Sequence, residues 1–170
     1  MVINDWDRHE DQWVWAVKKS EAENLYMPIG RDRDQAFSKT DGFGLFWITL
    51  PWVYRIVKNF SPTIYDVKGF NFMARNLDQQ FLNELSREEW EKIIGDVKTG
   101  MTDEEISQSV ETMPREVDKY SGEGIKKRLR QRRDHLPRYG MKYYQSLSEK
   151  ITINGSAKDE SFIIDLKNNN

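Results

Sequence analysis

The sequence predicts an α+β fold, mainly α, with a β-hairpin at each end and a helical bundle between them. Three observations predict it. In residues 12–20, Gln12, Val14 and Ala16 alternate with Trp13, Trp15 and Val17, and the polar run SEAEN leads into a second extended stretch at 25–31. Residues 70–149 then carry apolar positions three and four apart, with two clear helix starts. Finally, Ile151 and Ile153 are followed by a turn around Asn154 and Gly155 and by Phe162, Ile164 and Leu166.

At 170 residues the chain reads as a single domain, with an acidic hairpin at 1–40, a helical region at 41–149 and a terminal hairpin at 150–170. Its 28 acids and 26 bases give a net charge of −2, which implies no bulk attraction to nucleic acid or membrane. Six Trp among 38% hydrophobic residues argue for a folded chain rather than a disordered one. Cys is absent, so thiol catalysis, disulfides and Cys-ligated metal are excluded. The start, MVINDWDR, has neither the basic residues nor the apolar run of a signal peptide. The longest apolar stretch, Leu45 to Val57, is too short to span a bilayer and holds Pro51 and Arg55. A motif dense in acids so close to Met1 leads to the expectation that this is a C-terminal fragment of a longer protein, with the upstream domain as its partner.

Each element has a local reason. The first hairpin should bring the two ends of 12–31 to one place. Within 41–62, Trp52, Ile56 and Phe60 recur at spacing four, which predicts a buried helix after Pro51. Phe70, Met73, Leu77, Phe81 and Leu85 predict a helix over about 70–84. Ser86 with Glu89 and Thr102 with Glu105 are capping boxes, flanked by the staples Leu85/Trp90 and Met101/Ile106. Gly100 and Pro114 end the two helices, which are expected to pack as an antiparallel pair. A longer helix follows over 121–149, which Pro137 should kink or split. Between Lys126 and Arg138 it carries seven Lys or Arg and His135 against one acid, Asp134. A phosphate-rich partner such as nucleic acid fits that run. A solvated face balancing acids elsewhere fits it better, because no aromatics interleave with the bases to stack on nucleotides.

The chemistry-bearing residues lie at 5–37. The block DWDRHEDQW supplies Asp5, Asp7, Glu10 and Asp11 beside Trp6, Trp13 and Trp15. The block PIGRDRDQAF supplies Asp32 and Asp34. Phosphoryl transfer needs a carboxylate to accept the nucleophile's proton and oxygen ligands to hold magnesium against the phosphates. Asp7 and Gln12 have the spacing of a catalytic Asp and an amide metal ligand five residues on, and a hairpin can add Asp32 or Asp34.

Those two blocks resemble the catalytic half of the CotH-like atypical kinases and of secretory-pathway kinases that carry a DRH motif. The resemblance implies the C-lobe of a kinase-like fold, with Asp7 as catalytic base and Asp11 or Gln12 as metal ligand. Asp32 or Asp34 would be the second metal-binding carboxylate. Mg or Mn would be the cofactor, and ATP would bind only with an upstream Lys and Gly-rich loop. The sequence departs from that pattern where Gln12 replaces Asn and where no Gly follows the metal Asp. A broader likeness runs through NFMARNLDQQFLNEL, MTDEEI, RLRQRRDHLP and YYQSLSEKITINGSAKDESF. It is similar to the C-terminal region of large bacterial cell-envelope proteins described as metallophosphoesterases or as BamA/TamA-like outer-membrane proteins, and it implies a cell-envelope location.

Three functions follow as expectations. The first is a metal-dependent phosphotransfer site, inactive in this fragment alone. The second is a non-enzymatic structural or interaction domain, in which the alternating Asp and Arg form an ion-pair network. The third is part of a metallophosphoesterase, which the sequence supports least, because only His9 lies near the acids.

Overall fold

A computed structural model describes residues 1–19, 24–39, 57–150, 159 and 161. It is α+β and mainly helical. Strands β1 (Trp13–Lys19) and β2 (Asn24–Gly30) pair antiparallel, Trp13 opposite Gly30 and Lys19 opposite Asn24, as the alternation predicts. The expected C-terminal hairpin and the expected helix start after Pro51 lie outside the described residues. Residues 57–62, the described end of that expected helix, are irregular chain.

The predicted helix at 70–84 is broken into α1 (Val67–Phe70) and α2 (Arg75–Leu82). Side chains mark both ends of α1. Asp66 caps α1 by accepting from the Gly69 N–H at 2.8 Å, and the Asn71 amide donates to the Val67 carbonyl at 2.8 Å. The Asn71 side-chain amide shares the Val67 carbonyl with the Asn71 backbone N–H where α1 ends.

Helix α3 (Arg87–Gly100) opens on a complete capping box, in which Ser86 and Glu89 bond reciprocally. Helix α4 (Asp103–Glu111) has half of one: the Thr102 hydroxyl accepts from the Glu105 N–H at 3.1 Å, and no return bond from Glu105 forms. The two helices do not form the expected antiparallel pair. Each packs instead against α5 (Glu123–Ser148).

Helix α5 follows a helical turn at Arg115–Val117 and a π-helical turn at Asp118–Gly122. It runs through Pro137 without splitting. Its buried stripe is Ile125, Leu129, Arg132, Leu136, Tyr139, Tyr143 and Leu147, a three-four spacing that supports core on two sides. One cluster gathers Phe60, Ile106 and Val110 on Ile125 and Leu129. The other gathers Val67, Phe70, Trp90 and Ile94 on Leu136, Tyr139 and Tyr143. At Gly140 a Cβ would collide with the Ile94 side chain, so glycine lets α3 approach α5 closely. Among the described residues no helix is long and apolar enough to cross a membrane.

Three bases of the run on α5, Lys126, Arg130 and Arg133, pair with acids of the chain itself. Lys126 contacts Glu111 and Glu123 at 3.4 and 3.2 Å, and Arg130 and Arg133 both reach Asp103, at 3.4 and 2.6 Å. The hydrogen bond from Arg133 holds the Asp103 carboxyl below its ordinary value. The pairs to Glu111 and Asp103 link α4 to α5.

Candidate functional site

The hairpin does bring its two ends together. The Arg31 N–H donates to the Gln12 carbonyl at 2.7 Å, so the acidic blocks before β1 and after β2 meet at one end of the ribbon. The chain after β2 is then sewn to the body. The Phe37 N–H donates to the Ile3 carbonyl and the Phe60 N–H to the Ser38 carbonyl, both at 2.8 Å. The Phe37 and Phe60 rings meet edge to face at 5.2 Å.

Charged groups at this junction are turned inward onto one another. Asp5, 3% exposed, accepts from Arg33 at 2.7 Å, and that guanidinium also lies over the Trp13 ring at 4.6 Å. Arg8 donates to Asp78 at 3.1 Å and to Asn71 at 2.9 Å. Asp78 is buried on α2 and also accepts from the Tyr143 hydroxyl at 2.7 Å. Burial, helped by the charge of Asp78, pushes the Tyr143 phenol well above its ordinary pKa. Arg8 therefore ties the first acidic block to α2 and, through Tyr143, to α5.

The residues expected to carry chemistry occupy different surroundings. Asp7 is partly exposed with His9 at 3.8 Å, and Asp11 is 97% exposed with His9 at 3.7 Å. Gln12 is buried. In the amide orientation that satisfies its neighbours, its nitrogen donates to the Arg31 and Asp32 carbonyls at 3.0 and 3.3 Å. That makes Gln12 a pin between the strand ends. Asp32 and Asp34 lie exposed after β2. Among the described residues, no three His, Asp or Glu side chains gather closely enough to hold a metal ion.

Two features escaped the sequence reading. Among the described residues, three other than glycine have positive φ, and all flank the hairpin: Asn4 at 68°, Asp32 at 47° and Phe37 at 59°. Asp and Asn tolerate that region, whereas a bulky Phe does not do so readily. The other feature is Arg132, 2% exposed within the apolar stripe of α5. Its signal was present in the spacing, since Arg132 stands three residues after Leu129 and four before Leu136, where a hydrophobic residue belongs.

No family model, curated protein or solved structure matches this chain.

Proposed function

We propose that the chain is a non-catalytic interaction domain, in which a helical body holds out an apolar β-hairpin for another polypeptide. One observation carries the reading: Asp5 and Arg8 of the first acidic block are engaged by Arg33 and Asp78 to fasten the hairpin to the body. The hairpin that this junction supports is apolar and open. Val17, Leu25, Tyr26 and Ile29 are 47%, 54%, 59% and 52% exposed. Among the described residues the sheet has two strands, so each strand has an outer edge able to accept a third. Through the envelope-protein resemblance, the partner would be an extended segment of an upstream domain of the same parent, at the cell envelope.

The test is a Leu25→Lys/Ile29→Lys variant. An open docking face predicts loss of apolar-dye binding with an unchanged melting temperature. A fall in melting temperature on the scale of a core substitution would show that these side chains are already covered, and would remove the reading.

A kinase-like, Mg- or Mn-dependent phosphotransfer site is the second reading, and the positive φ at Asp32, one of its expected metal ligands, is the observation that supports it. Strained backbone clusters at functional sites and is a starting point for hypotheses about function. This reading gives Asp7 the base role and assigns metal to Asp11, Gln12, Asp32 and Asp34. Titration calorimetry with magnesium or manganese alone, which needs no upstream nucleotide grip, separates the two readings. Heat that disappears in Asp7→Ala and Asp34→Ala supports the second, and no heat supports the first.

A further inference from the structure

Arg132 sits in the interior and, among the described residues, is held by neutral acceptors alone. Its Nε donates to the Ser61 carbonyl at 2.6 Å, Nη1 to the Met1 carbonyl at 2.6 Å, and Nη2 to the Asn4 side-chain oxygen at 2.8 Å. A guanidinium has five N–H groups, so these bonds leave two over, and each acceptor is neutral. The Phe60 ring lies 4.8 Å from the guanidinium carbon and adds only a quadrupole. Among the described residues no carboxylate forms an ion pair with Arg132. Burial pushes the guanidinium down to about 10, the direction expected of a cation that has lost water and gained no counter-charge.

The same side chain lines a cavity of about 310 Å³. Lys58, Ser61, Thr63 and Asp66 also line it, and Asp66 is committed to the Gly69 N–H as the cap of α1. The volume is at the small end of ligand pockets. Two cationic side chains against one carboxylate leave the lining net positive. A purely structural clamp accounts for the three bonds that join Met1, Asn4 and Ser61 to α5. It does not account for a cation in the lining of a cavity large enough for a small molecule.

We propose that this cavity binds a small oxyanion, a carboxylate or a phosphate, with Arg132 as its buried counter-charge and Lys58 as a second cation at the lining. Both anions offer paired oxygens to a guanidinium fork. The site lies beside Asn4 and Ser61, away from the exposed hairpin strands, and does not depend on how the hairpin is used.

Thermal unfolding of the full chain in sodium phosphate, sodium acetate and sodium chloride at matched ionic strength tests it. The expected result is a melting temperature roughly 5 °C or more higher in phosphate or acetate at hundredfold excess over Kd, and which of the two acts tells phosphate from carboxylate. Phosphate also stabilises proteins in general by exclusion from their surfaces. Thr63→Trp controls for that, because it fills the cavity and leaves the three Arg132 bonds in place. The specific shift should vanish in Thr63→Trp. Lys58→Ala should weaken calorimetric binding of the active anion about tenfold, independently of whether Arg132→Met folds. Equal melting in the three salts, or an undiminished shift in Thr63→Trp, would overturn the proposal.

Discussion

The hairpin and the helical body are built from similar residues and use them in opposite ways. In the body, Phe70, Val67 and Val110 are each 1% exposed, and the bases of α5 pair with acids on neighbouring segments. In the hairpin, Leu25, Tyr26 and Ile29 are more than half exposed, and Asp5, Arg8 and Arg33 at its base form the ion pairs that attach it. An isolated two-stranded hairpin is marginal in water. The comparison teaches that this one persists because its base is fastened, through buried polar bonds, to a body that is stable by apolar packing.

Core truncation should break that contrast most. Phe70→Ala removes a fully buried ring from the larger cluster and should cost about 4 kcal/mol in chemical denaturation. If the loss is below about 1 kcal/mol, α1 is not part of the stable body.

Acid should act on a similar scale. In a chain made to start at Met1, enclosure of its free amine, with Arg8 and Arg132 nearby, lowers the pKa from 8.0 to about 5. The unfolded amine therefore binds a proton throughout that window while the folded one does not. Stability is full above pH 8 and falls as pH drops towards 5, by at most about 4 kcal/mol for the three-unit difference. Denaturation midpoints across pH 5 to 8 check this. A flat profile would mean that the amine is hydrated.

Asp5→Asn sharpens the comparison at the junction itself. It leaves the Arg33 guanidinium without its buried partner and should cost about 3 kcal/mol. Hydrogen exchange in β1 and β2 should rise before exchange in α5 does. Simultaneous loss of protection in both would show that hairpin and body are one cooperative unit.

Caps give the smallest effects inside the body. Ser86→Ala should cost about 1 kcal/mol and Thr102→Ala about half that, because only the first box is reciprocal. Equal losses would show that the missing Glu105 bond forms in solution.

Much of the fold was legible because its signals are local. The alternation through Trp13, Trp15 and Val17 gave the hairpin, and Ser86 and Thr102 marked their helix starts within a residue. The misread elements depend on partners distant in sequence. The periodic apolar run over 70–84 is interrupted after Asn71, which is buried against the body and bonded to Arg8, and α3 and α4 each choose α5 over one another. Pro137 does not split α5, whose flanking Leu136 and Tyr139 are both held in the larger core cluster. At the candidate site, spacing correctly brought Gln12 and Arg31 to one end of the ribbon. It carried no information on what each side chain would face there.

The sequence by itself determined the N-terminal ribbon, the helix starts and the concentration of acids at the ribbon's base, because periodicity and capping are decided within a few residues. Tertiary structure alone decided that Asp5 meets Arg33, that Arg8 meets Asp78 across 70 residues, and that Arg132 is enclosed beside a cavity. The physical reason is that a charge is assigned its role by its surroundings after burial. Partner, water or cavity is fixed only when distant segments pack together.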